Sequence, residues 1–235
     1  MTQFLGISAA RWLQVVGILV LGALLAMIVH QLVGRWAPSR GSYPQQGIDV
    51  SHHQGLIEWS SVRAAGVDFA YIKATEGGDV RDARFAANWE GARQAGIRRG
   101  AYHFYTLCRL ASDQAANFIA NVPREPNALP PVIDLEFGGN CKARPDRTVL
   151  LGELATFITM VEAHSEAPVM LYLTSEFDEY YRVSDAISRP LWLRRTVFMP
   201  DYGARPWVMW QANPRRRVSG IEGPVDWNVV RSDAR

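Results

Sequence analysis

Lysine is almost missing from this chain. Of its 25 basic residues only Lys73 and Lys142 are lysines, and the rest are arginines. There is no long basic run, and the net charge is only +2, so the electrostatic footprint of a nucleic-acid-binding protein is absent. Cysteine is equally scarce. Cys108 and Cys141 are the only two, too sparse for a zinc site of the usual spacing. Internal repeats and low-complexity tracts are lacking as well. What remains is globular composition, 48% hydrophobic and 20% charged over 235 residues, with ample length for one core.

Charge is also missing from residues 12–33, WLQVVGILVLGALLAMIVHQLV, where only Gln14, His30 and Gln31 interrupt the apolar run. A membrane-spanning helix needs about 20 such residues. The run is longer than the h-region of a signal peptide, about 7–15 residues, and no A-x-A site follows it. Residues 1–34 are therefore expected to form a retained single-pass anchor, with a cleaved signal sequence as the alternative. Arg11 precedes the run and Arg35 and Arg40 follow it, so charge asymmetry sets no orientation. Residues 35–46 read as a short polar linker and 47–235 as one domain.

From residue 47 onward, short apolar and aromatic runs alternate with amphipathic stretches. Strands are predicted at 47–50, 69–74, 99–105, 132–136, 169–174, 191–193, 207–211 and 225–227. Helices are predicted at 57–65, 84–95 and 148–164, with another capped by Ser112 and running to 121. Strand–helix alternation implies a parallel sheet. About eight strands in this length suggest a small α/β barrel. The short gaps after Thr174 leave the last strands without full helices.

In a parallel barrel, functional side chains gather at the carboxyl ends of the strands. The first strand ends in Asp49-Val50-Ser51-His52-His53 and the second in Lys73-Ala74-Thr75-Glu76. The third carries Tyr102-His103-Phe104-Tyr105, and the fourth ends in Asp134-Leu135-Glu136. Tyr172, Trp210, Gln211 and Asp226 follow on later strands. Together they predict a polar cleft lined by aromatic rings. Asp134 and Glu136 are two apart, so they face one side of the strand, with Cβ atoms about 6–7 Å apart. That spacing suits two carboxylates acting on one glycosidic bond, and it lies between the retaining and inverting separations. Mutual repulsion raises at least one pKa and keeps a proton available.

The segments GIDVSHHQG (47–55), YIKATEG (71–77), GAYHFY (100–105), VIDLE (132–136), WQ (210–211) and VDWN (225–228) occur in order. Together they closely resemble the glycoside hydrolase family 25 muramidases, over residues 46–230. The resemblance implies an irregular (β/α) barrel of five βα units followed by strands largely lacking helices. It implies hydrolysis of the β-1,4 bond between N-acetylmuramic acid and N-acetylglucosamine in peptidoglycan. By position, Glu136 matches the general acid and Asp134 the carboxylate that assists the substrate acetamido group. Asp49 and Asp226 match the flanking acids. Tyr102, Tyr105, Tyr172, Trp210 and Gln211 are the expected substrate-binding residues. Cys108 and Cys141, on loops after neighbouring strands of such a barrel, are expected to form a disulfide. LWLRRT (191–196) departs from a family pattern closer to L-W-x-A-x-Y, and WQAN (210–213) lacks an aromatic that often follows the Gln. With no wall-binding repeat after the barrel, the amino-terminal helix is expected to hold the enzyme near the wall. The chain is expected to act as a monomer in the cytoplasmic membrane, without a cofactor, its catalytic domain facing the periplasm or cell exterior.

Two other readings stay open on the residues. One is a metal-dependent hydrolase using Asp49, His52 and Asp134; the adjacent His52 and His53 would face opposite ways on a strand. The other is a non-catalytic glycan-binding module on the same fold. His103, Trp59 and Trp89 read as core residues, and Lys73 as an acid-paired one.

Overall fold

A computed structural model of the chain describes residues 9–232. The ends of the predicted anchor and barrel, residues 1–8 and 233–235, lie outside the described residues. The first described element is helix α1 (Ala9–Arg35), apolar and exposed over residues 10–32. Then come strand β1 (Gln46–Val50), a single 3-10 turn (His52–Gln54), helix α2 (Trp59–Ala64), strand β2 (Phe69–Glu76), a two-residue strand β3 (Val80–Arg81) and helix α3 (Phe85–Gln94). Next are β4 (Arg98–Phe104), α4 (Ala111–Asn121), β5 (Val132–Leu135), α5 (Arg147–Ser165), β6 (Met170–Leu173), α6 (Ser175–Tyr181) and the one-turn α7 (Val183–Ala186). Three strands, β7 (Leu191–Arg194), β8 (Met209–Arg216) and β9 (Val225–Val230), close the order.

Eight strands form a closed barrel in the order β1-β2-β4-β5-β6-β7-β8-β9, with β9 returning to β1; β3 is a hairpin arm on β2. Neighbours from β1 through β8 run parallel, and β9 is antiparallel to both β8 and β1. All eight predicted strands are present. The reversal of β9 is new, and its cause is visible: only a short connection joins β8 to β9, too short for the crossover that a parallel pair requires. One predicted cap also differs. Ser112 lies inside the first turn of α4, and Glu153 of α5 accepts from the Ala111 N–H at 2.6 Å.

Strand alternation divides the core in two. On β5, Ile133 and Leu135 face the helices, while Val132 and Asp134 face the barrel interior. The interior is filled by Phe69, Tyr71, Val132, Met170, Tyr172, Trp192 and Met209. Rings this large fit because Gly47 and Gly100 face them: a Cβ there would lie 2.3 Å from the Phe69 carbonyl oxygen and 2.4 Å from the Tyr71 ring.

The outer faces of β8 and β9 have no covering helix. The segment expected as a linker lies there instead. Trp36 and Tyr43 pack on Trp210, ring centroids 6.2 and 6.0 Å away. The Gln46 amide donates to the carbonyls of Pro38 and Tyr43 at 2.9 and 3.0 Å. Residues 36–46 are thus a strap that seals the helix-free side.

Candidate active site

The carboxyl ends of the parallel strands surround a cleft of about 460 Å³. Asp49, Asp134, Glu136, Asp226, Tyr102, Tyr172 and Gln211 all line it, as the sequence predicted. Two predicted residues do not. Trp210 points outward from β8, is 3% exposed, and donates its Nε1–H to the Arg195 carbonyl at 2.6 Å. Strand parity decides this, because Gln211 faces the cleft and its neighbour must face away. Tyr105 follows β4 on the outer side and packs edge-on against Phe157 of α5.

Asp49 is held by a relay. Its Oδ2 accepts from Gln211 Nε2 at 3.1 Å and from Asn228 Nδ2 at 2.7 Å. Each amide is itself oriented by an aromatic donor: Tyr172 Oη gives to Gln211 Oε1 at 3.0 Å, and Trp192 Nε1 gives to Asn228 Oδ1 at 3.0 Å. Burial pushes the Asp49 carboxyl up, and these two amides oppose it. Asp226 lies directly opposite Asp49 across the β1–β9 pair. Burial, followed by the Asp49 charge, drives its carboxyl well above the ordinary range.

Asp134 is the least satisfied of the acids. It is buried, and its Oδ1 has no hydrogen-bond partner. Burial first, then the charges of Glu136 and Asp49, push it well up, and Lys73 opposes them. Glu136, one residue beyond β5, is also raised by burial, with the Arg194 guanidinium pulling it back. These four acids therefore share a cleft with Glu76, and its nearby cations are Lys73 and Arg194. Like charges gathered this closely oppose one another's ionisation. Tyr102 and Tyr172 are raised well above their usual range by burial and by these acids, which keeps both phenols neutral donors.

The loop carrying Glu136 is pinned. Asn140 Nδ2 donates to the Glu136 and Tyr105 carbonyls at 3.0 and 2.8 Å, and its Oδ1 accepts from Leu107 N at 3.0 Å. Next to it the expected disulfide joins Cys108 to Cys141, Cα atoms 6.4 Å apart. It ties the loop after β4 to the loop after β5.

Phe104, one of the predicted strand-end aromatics, also lines the cleft; Trp192, which the sequence left open between core and cleft, joins it, and Arg194 escaped the sequence reading. Trp192 and Arg194 share a face of β7 by alternation. The departure LWLRRT was the only signal for Arg194. The two histidines after β1 lie in a turn with rings 4.0 Å apart, not on opposite strand faces. His52 does not line the cleft with Asp49 and Asp134; its Nδ1 pairs with Asp82 Oδ2 at 2.8 Å. Among the described residues no cluster of His, Cys, Asp and Glu is arranged to hold an ion. Lys73 pairs with Glu76 at 2.7 Å, as expected of a rim-facing cation.

The sequence model for glycosyl hydrolases family 25 matches residues 48–221. The chain belongs to that family. Among its relatives, this family 25 chain is 37% identical over 202 residues to Lysozyme M1 of Streptomyces globisporus, covering 80% of this chain and 68% of that one. A family 25 glycosyl hydrolase structure from Bacillus anthracis superposes with a TM-score of 0.77 at 37% identity, covering 84% of this chain and 92% of the other. The bacterial lysozyme from Streptomyces coelicolor gives 0.73 at 36% identity, covering 79% and 91%. The family 25 assignment makes the chain a glycoside hydrolase and removes the reading as a non-catalytic glycan-binding module.

Proposed function

We propose that this chain is a peptidoglycan muramidase in which Glu136 is the general acid and Asp134 serves the substrate's 2-acetamido group. The observation that carries the assignment is the orphaned Asp134 Oδ1, a buried acceptor beside a glutamate whose carboxyl burial pushes up. A buried acceptor without a partner costs about 1–3 kcal/mol, and a substrate N–H arriving there recovers it. That hydrogen bond favours the ionised form of Asp134 and leaves the shared proton to Glu136.

The steps then balance. The acetamido carbonyl oxygen attacks C1 of the muramic acid, the C1–O bond breaks, and Glu136 gives its proton to the departing sugar oxygen. Asp134 accepts from the acetamido N–H while positive charge develops on that group. Water next attacks C1 and loses its proton to Glu136, and the acetamido group is restored. Two inversions at C1 give net retention. Tyr102, Tyr172, Trp192 and Gln211 supply ring surface and polar contacts for the sugars. Asp49 and Asp226 hold the cluster's charge and its amide relay.

The substrate also sets the location. Helix α1 is long and apolar enough to cross a membrane, and peptidoglycan lies outside it, so the barrel stands outside the cytoplasm on a single-pass anchor. A disulfide beside the site agrees with an oxidising compartment.

The test is mass spectrometry of purified peptidoglycan digested with the full chain, with Glu136→Gln as control. Products ending in reducing muramic acid support the proposal, and the variant should be slower by about 10²–10⁴-fold. Anhydro-muramic ends, cleaved stem peptides, or full activity in a folded Glu136→Gln protein would each overturn it.

A further inference from the structure

The carboxyl end of α1 is fastened to the barrel. Asn213 Nδ2 donates to the carbonyls of Val33 and Trp36 at 2.7 and 2.9 Å. The Arg217 N–H donates to the Gly34 carbonyl at 3.0 Å, and Arg216 Nη1 to the Arg35 carbonyl at 2.8 Å. A helix leaves its last four carbonyls without partners, and here the far end of β8 supplies several. Arg216 is locked further by stacking on Trp227, 4.2 Å from the ring centroid. The arginine triplet 215–217 is therefore held where the apolar run ends.

Helix α1 has 27 residues and spans about 40 Å at 1.5 Å per residue, more than the roughly 30 Å of a bilayer core. Its last turn thus falls at the head-group level, and so does the triplet bonded to it. Arg35, Arg215 and Arg217 are exposed and have no carboxylate partner among the described residues. No acidic residue precedes Asp49 in the sequence. Exposed guanidinium groups at a phosphate-bearing surface have one evident use: their fork of donors fits phosphate oxygens.

Resting on the anchor reading above, we propose that Arg35, Arg215 and Arg217 form a seat for the head groups of anionic phospholipids. The seat would hold the barrel upright on the membrane. Gln211, in the cleft wall, is five residues from Arg216 on the same strand. At about 3.3 Å per residue the cleft rim then lies within roughly 17 Å of the helix end. The enzyme would cut only the innermost glycan and would not swing on a leash.

The experiment uses the full chain and the variant Arg35→Gln/Arg215→Gln/Arg217→Gln, which touches no cleft residue. Both are floated with neutral phosphatidylcholine vesicles, then reconstituted with phosphatidylcholine and phosphatidylglycerol, extracted in mild detergent, and assayed for retained lipid. Expected is equal flotation of both, with phosphatidylglycerol enriched severalfold over its mole fraction on the wild type and not on the variant. Equal or absent enrichment with flotation intact overturns the lipid seat alone. Failure to float with any vesicle overturns the anchor and the seat together.

Discussion

Arg194 Nη1 stands 3.5 Å from Glu136 Oε2, across the cleft from the β5 strand end. The guanidinium favours the charged form of the carboxylate, while burial favours the neutral form and is the larger effect. The carboxyl therefore sits above its ordinary range, but less far above it than burial alone would put it.

Arg194→Ala should move the basic limb of the kcat/KM profile to higher pH. The sign follows from the role: a general acid is active below its pKa, so a higher pKa extends activity upward. Arg194→Lys should restore most of the wild-type profile by returning a cation. The pair is partly exposed, so the shift should shrink in high salt. A basic limb that stays in place in Arg194→Ala would remove Arg194 from control of the acid.

Asp134→Asn should slow hydrolysis by about 10²-fold or more, the scale seen when one group facing developing charge is lost. N-deacetylated glycan should be cut poorly by the wild type, because it lacks the internal nucleophile. The two defects share a cause, so they should not multiply: the variant should discriminate little between acetylated and deacetylated glycan. Rates measured for both proteins on both glycans give the cycle. Full multiplication of the two losses would separate Asp134 from the acetamido group.

Trp210 tests where the sequence reading went astray. Aromatic residues at strand ends are natural sugar platforms, and WQ sits at the rim in the sequence. Yet a strand has two faces, and composition cannot say which one Trp210 takes. The same period of two placed Asp134 and Glu136 together correctly, because a charged pair inside an apolar run has only one affordable side. All eight strands were legible from their short apolar, β-branched or aromatic runs. The reversed β9 and the strap over β8 were not, since both depend on which outer faces lack a helix. Trp210→Phe removes the 2.6 Å bond to the Arg195 carbonyl and part of the packing on Trp36. It should cost about 1–3 kcal/mol of stability and leave KM near the wild-type value. A several-fold rise in KM with unchanged Tm would return Trp210 to the cleft.

Cys108 and Cys141 close a loop across a sequence separation of 33 residues. In the chain-entropy account a loop of that size is worth about 3.7 kcal/mol, by restricting the unfolded chain. For a domain of this size each kcal/mol moves Tm by about 2–4 °C. Cys108→Ser/Cys141→Ser should therefore melt roughly 7–15 °C lower. A second effect follows from position. The bridge adjoins Asn140, which clamps the Glu136 carbonyl at 3.0 Å. Loosening that loop should lower kcat at temperatures well below the melt while changing KM little, because the sugar-binding rings lie on other strands. Reduction of the wild type by dithiothreitol should reproduce both effects, and thiol titration before reduction should find no free cysteine. A double variant with wild-type Tm would mean that the bridge does not constrain the chain. Wild-type kcat at a lowered Tm would mean that Asn140 alone holds the acid in place.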